Sequence, residues 1–302
     1  MSSVIRFSAD LGTWLVQQLD HGQTPAQLVH EMVEGQMDPY VARAIVDAFV
    51  LARREGTPLP VDSLLIEEPS EYVAEPSRLS NEARIATADR QVRVLARSHD
   101  PTWAVLGDLL SPEECRELID LARPRLAPST IVNPYSGQNV VAANRTSLGM
   151  FFRLAENALV ERLDRRVAGL VRKPVEHGEG FQVLCYPAGA QTTPHFDFLQ
   201  PSNDANRASI ARSGQRVSTL IAYLNDVPGG GETVFPKLGL SVIPQRGNAV
   251  YFEYANSQGQ VDARSLHAGN PVLSGEKWVL TKWTRQRRFV SAGEVSSDGM
   301  LD

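Results

Sequence analysis

Apolar residues recur at helical spacing early in the chain and in strand-like alternation later. Leu11, Trp14, Leu15 and Leu19 share one helical face. "TPAQLVHEMVEG" then supplies Thr24 as N-cap, Pro25 at the first helical position and Gly35 as a stop. Asp38 and Pro39 open a third helix, in which Val41, Ile45, Ala48 and Phe49 keep the period until "RREG" closes it. Residues 1–54 therefore read as a small helical module, acting as a cap on the main domain or as a partner-recognition element. Residues 55–88 are rich in proline and acidic side chains without periodicity, as expected of a linker or an extended wrap.

Residues 89–290 change texture, and 291–302 read as a flexible tail. "RQVRVLARS" and "TWAVLGDLL" alternate as strands, and "SPEECRELIDLA" opens on a capping box of Ser111 and Glu114. A second helix follows in "ENALVERLDRRVAGLV". From Phe181 the chain is nearly all strand and turn: "FQVLCY", "PHFDF", "RVSTLIAYL", "GGGETVFP", "LSVIP", "NAVYFEY", "SLHAG" and "KWVLTKWTR". So many short strands, with helices kept apart, predict an α+β fold built on a jelly-roll barrel, the double-stranded β-helix. The "GGG" of Gly229 to Gly231 reads as a strand-linking turn, since no helix follows to make a phosphate cradle. The polar stretch "LQPSNDANRASIARSG" reads as a mobile loop.

Composition narrows the function classes. A net charge of −5 and a pI near 5.8 argue against broad nucleic-acid binding. The basic run from Arg285 to Arg288 reads as a solvated segment after the last strand. Cys115 and Cys185 stand too far apart for a metal-ligand spacing and imply no disulfide framework, which fits a cytoplasmic location. The N-terminus lacks a signal-peptide pattern, and no long apolar run predicts a membrane span.

The candidate chemistry centres on "PHFD". In an extended strand, residues two apart share a face, so His195 and Asp197 can both point into a barrel while Phe196 packs outside. A facial iron site needs one more histidine from elsewhere, and His267 is the only histidine after His195. Lys277 begins an apolar strand, where a buried ammonium calls for an anion such as a dicarboxylate. These ligand types also suit a zinc hydrolase, and a non-catalytic binding barrel is a further possibility.

With "GDLLSPEECRELIDLA", "RTS", "GEGFQVLCY", "PHFD", "QRVSTLIAYLND", "GGGETVFP" and "HAGNPVLSGEKW" in order, the stretch from Thr102 to Trp283 resembles the prolyl 4-hydroxylase family of 2-oxoglutarate- and Fe(II)-dependent dioxygenases. The resemblance implies His195, Asp197 and His267 as iron ligands, with Lys277, Thr233 and Tyr186 on the cosubstrate 2-oxoglutarate. It implies O2 as second cosubstrate, ascorbate as reductant, and hydroxylation of an unactivated C–H bond. An intact Asp197 disfavours halogenation. Substrate contacts map onto Arg145, Ser147, Glu179, Arg216 and Trp283. The family's peptide-binding tyrosine, three residues before the first histidine, is Thr192 here. A proline-containing peptide or protein is the expected substrate. The alternative is a free cyclic amino acid, proline or pipecolate, with Arg145 or Arg216 on its carboxylate and Glu179 on its ammonium.

Overall fold

Three capped helices and one strand pair make the first of two units. In the computed structural model, described over residues 2–67, 72–128, 130–132, 139–141, 147–201 and 204–291, the units are Met1–Glu71 and Tyr72–Asp302. Ser8 caps α1 (Ala9–Asp20), the predicted Thr24 capping box opens α2 (Pro25–Glu34), and Asp38 accepts from two amides at the start of α3 (Pro39–Glu55). Their apolar stripes meet in a core that includes Leu15, Leu28, Ile45 and Phe49. Strands Ser2–Arg6 and Ser63–Glu67 pair antiparallel within this unit, so it is not purely helical.

The stretch expected to link two domains, 55–88, is divided between the units. Residues 63–67 are strand in the first, while Arg78 pairs with Glu253 and the Arg172 guanidinium donates to the carbonyls of Ser77, Arg78 and Leu79 within the second. Proline-rich sequence without periodicity carries no signal of these polar side-chain anchors. Of the expected tail, residues 292–302 lie outside the described residues.

The second unit is a jelly roll with two principal sheets. The larger runs in the order 84–86, 91–99, 102–107, 249–253, 216–223, 277–285, 182–186, 148–151 and 127–128. The smaller runs 192–195, 267–269, 233–235 and 240–242. Side-chain parity explains the long apolar runs: Val183, Cys185, Leu220, Ala222, Trp278 and Leu280 belong to one core, Leu184, Tyr186, Ile221, Tyr223 and Val279 to another. The first core also holds residues of α4 (Pro112–Ala122) and α5 (Ala158–Val171), the second residues of the smaller sheet. α4 opens on the predicted capping box, and its Glu114 accepts two bonds from the buried Arg166 of α5, at 2.8 and 2.7 Å.

Two expectations fail near the site. The "PHFDF" strand covers Thr192–His195 only, with a register irregularity before His195, and Asp197 sits in a bend. The polar stretch read as a loop holds α6 (Asp204–Ser213), of which only Ser213 is buried. With so little apolar surface, α6 shows no hydrophobic period. Its carbonyls are held instead by Arg285, which donates to Ser209 O at 2.8 Å, and by Arg287, which donates to Ile210 O and Ala211 O. Arg285 is thus the buried last residue of its strand, 1% exposed, rather than part of a solvated run.

Candidate active site

Two paired strands and a bend bring the three candidate ligands together. His195 and His267 are register partners on neighbouring strands, and Asp197 reaches them from just past the first strand's end. One ligand atom from each lies within 4.8 Å of the others, with His195 Nε2 at 3.7 Å and His267 Nε2 at 3.5 Å from the Asp197 carboxylate. Each imidazole is aimed by its own backbone. His195 Nδ1 lies 2.9 Å from Thr193 O, and His267 Nδ1 lies 3.0 Å from Ser265 O. A carbonyl only accepts, so Nδ1 carries the proton and Nε2 keeps its lone pair for a metal. Phe252 and Phe235 pack beside the His267 ring at 4.8 and 5.8 Å between centroids.

The Thr219 hydroxyl donates to Asp197 Oδ2 at 2.7 Å and is itself bonded to the Tyr254 hydroxyl. Burial alone would push the Asp197 carboxyl up; the two imidazoles, Arg216 and the Thr219 hydroxyl outweigh it and hold the group at about 2. Two imidazoles and one ionised carboxylate on one side of a cavity are a donor set that suits iron(II) and leaves positions open.

The cavity, about 460 Å³ counted to its open mouth, is lined by inward-facing residues of both sheets. Lys277 stands there beside its register partner Tyr186, with its ammonium 5.6 Å from that ring and 5.8 Å from the ring of Tyr223. It is 5% exposed and forms no ion pair among the described residues. Burial lowers the ammonium to about 8, partly opposed by Glu232. Thr233 lines the same space and accepts from the Tyr223 hydroxyl at 2.9 Å, and Thr192 donates to the Tyr186 hydroxyl at 3.0 Å. Gly230, from the predicted turn, belongs instead to a short strand bridge with 272–274. Its φ is +72°, and a Cβ there would lie 2.2 Å from Pro271 O, so only glycine fits.

The expected substrate residues divide. Trp283 lines the cavity, while Ser147 is buried without forming part of its wall. Arg145 lies outside the described residues. Glu179 and Arg216 are engaged with each other: two parallel bonds of 2.7 and 2.8 Å join them, and Arg285 adds a third to Glu179 at 3.1 Å. Neither is free to hold the ends of a free amino acid, which corrects that expectation. Arg216 instead stacks over the Trp283 ring at 4.0 Å and donates to the backbone carbonyl of Asp197 at 3.2 Å. Arg285 and Thr219 were not picked out from sequence. An arginine ending a strand before further basic residues resembles a surface tail, and a threonine inside a strand carries no mark of its partner.

Residues 181–285 match the 2OG-Fe(II) oxygenase superfamily. Prolyl 4-hydroxylase 1 of Arabidopsis thaliana is 38% identical over 252 residues, covering 77% of this chain and 86% of that protein. Prolyl 4-hydroxylase 5 of the same plant is 38% identical over 221 residues, covering 67% and 73%. Among solved structures, the viral collagen prolyl hydroxylase of Paramecium bursaria Chlorella virus-1 in its 2OG complex aligns with a TM-score of 0.48 at 27% identity, over 61% of this chain and 95% of that one. The chain belongs to the prolyl 4-hydroxylase family of 2-oxoglutarate- and iron(II)-dependent oxygenases.

Proposed function

We propose that this enzyme hydroxylates proline within a peptide or protein, with His195, Asp197 and His267 holding Fe(II) and Lys277, Tyr186 and Thr233 holding 2-oxoglutarate. The observation that carries this reading is one cavity walled by a His–Asp–His cluster and by a buried lysine without an ion-pair partner among the described residues. When bound, iron with O2 and 2-oxoglutarate supplies the oxidation that inserts one oxygen atom into the C–H bond and releases succinate and carbon dioxide. The protein's work is positional. Lys277 anchors a carboxylate, the backbone-fixed imidazoles hold the metal to one side, and Leu184, Ile221, Val279 and Trp283 give a saturated ring an apolar wall. Ascorbate as reductant and a cytoplasmic location belong to the same proposal.

A competition experiment tests the substrate. Peptides containing internal proline, blocked at both ends, should be hydroxylated, with succinate formed in step, while free proline and pipecolate should be poor substrates. Inert blocked peptides beside a rapidly hydroxylated free amino acid would reverse the assignment.

Lys277→Ala should raise the KM for 2-oxoglutarate by roughly ten- to a hundred-fold, the worth of one charge-assisted contact. The wild type carries the sign of the same interaction. The ammonium is charged below about pH 8 and neutral above it, so kcat/KM for 2-oxoglutarate should hold steady below that pH and fall above it, by about tenfold per unit. An alanine variant with unchanged cosubstrate KM would place the carboxylate partner elsewhere.

A further inference from the structure

The bend that presents Asp197 has no ladder of its own, since the strand before it ends at His195. It is held from one place, the start of the strand 216–223. Thr219 takes the Asp197 carboxylate and Arg216 the Asp197 carbonyl. Two residues further along, a third contact joins them. The Leu199 N–H donates to Gln215 Oε1 at 2.7 Å, and Gln215 Nε2 donates back to Leu199 O at 2.8 Å. One side-chain amide thus makes the pair of bonds that a facing residue makes in an antiparallel ladder.

Gln215 is buried and fixed on its other side. Its N–H donates to the Gln286 side chain at 2.8 Å, its carbonyl accepts from the Gln286 N–H at 2.9 Å, and its Oε1 also accepts from the Arg216 N–H at 2.9 Å. With two N–H groups on that oxygen, the amide has one orientation. The clasp ties Leu199 to Gln215 on either side of α6, a helix that buries only Ser213 and is held by Arg285 and Arg287. A helix with so few buried contacts opens at low cost. Asp197 stands only two Cα steps of about 3.8 Å from Leu199, and a metal ligand serves only within about 0.5 Å of its place. Without the clasp, a displacement of α6 would run along the chain to the ligand; with it, the displacement stops at Leu199.

Resting on the reading of His195, Asp197 and His267 as metal ligands, we infer that Gln215 is a positioning residue for the metal: its clasp on Leu199 fixes the bend that presents Asp197 and keeps the socket independent of α6. The test is Fe(II) affinity of the full-length protein by anaerobic equilibrium dialysis, with Tm measured beside it. Gln215→Met keeps the length of the side chain and removes its hydrogen bonds, so it should raise the Fe(II) Kd by roughly ten- to a hundred-fold, as loss of a contact supporting a metal ligand does. Gln215→Glu keeps the acceptor for the Leu199 and Arg216 N–H groups and loses only the donor to Leu199 O. It should fold where the methionine variant does not, and show a smaller rise in the same direction. Arg287→Ala frees the Ile210 and Ala211 carbonyls of α6 and should leave Kd within about twofold of wild type, yet add to the rise when combined with Gln215→Met. A glutamine that serves folding alone would lower Tm in both Gln215 variants and leave Kd at the wild-type value, which would overturn the inference. So would an Arg287→Ala protein as weak for Fe(II) as Gln215→Met. A wild type that binds Fe(II) no better than His267→Ala would defeat the metal reading itself, and this inference with it.

Discussion

His267→Ala is expected to lose bound iron and turnover together, while the protein stays folded. The ring is 3% exposed and its Nε2 lies 3.5 Å from the Asp197 carboxylate, so alanine removes one donor of three and leaves the other two unable to hold the ion on one side. The loss should exceed the roughly 10- to 100-fold that a contact merely supporting a metal ligand is worth. His267→Gln fills the space between Phe235 and Phe252 without restoring the imidazole, and it separates metal loss from cavity effects. Iron content by plasma emission, succinate formation and far-UV circular dichroism give the three readouts. An alanine variant that kept stoichiometric iron and full activity would remove His267 from the site.

Glu179→Ala is expected to destabilise the protein by about 3–5 kcal/mol, because it strands the buried guanidinium of Arg285 and the part-buried one of Arg216 on a site built for their shared carboxylate. Activity on peptides should fall further than uncoupled use of 2-oxoglutarate, since Arg216 then loses its hold over the Trp283 ring and beside the Asp197 carbonyl. The pair also sets an acid limit. Burial works to raise the Glu179 carboxyl, and Arg216 and Arg285 together outweigh it, leaving the group below its ordinary value. Such a carboxylate contributes its full stability above the unfolded value near pH 4.3, and the contribution is lost as pH falls through the lower folded value. Urea unfolding between pH 7 and pH 3 should therefore show a steeper acid loss in wild type than in Glu179→Gln. An alanine variant within about 1 kcal/mol of wild type would mean the cluster carries little net energy.

How far the chain could be read from sequence depended on the reach of each signal. Residue type and order brought out His195, Asp197, His267 and Lys277 as candidates, and the fold brings all four to one cavity, Asp197, His267 and Lys277 being buried there. Alternation located the strands but not their ends: period-two spacing carries no sign of the irregularity that stops the strand at His195 and lets a bend deliver Asp197. Glu179 and Arg216 were legible as important residues and illegible as partners, since 37 positions separate them. α6 escaped because arginine side chains from another element hold it, and no stripe of its own does.

The two imidazoles owe their aim to carbonyls two residues upstream, Thr193 and Ser265. Metal choice at such a socket rests on donor type and geometry together with supply. Nitrogen and oxygen donors of this kind bind more tightly along the series from manganese through iron, cobalt and nickel to copper, so a plentiful competitor displaces iron although the donor set suits it. Protein made where zinc or nickel is plentiful should accordingly emerge folded but silent, carrying the wrong metal, and regain its activity when that metal is exchanged for iron.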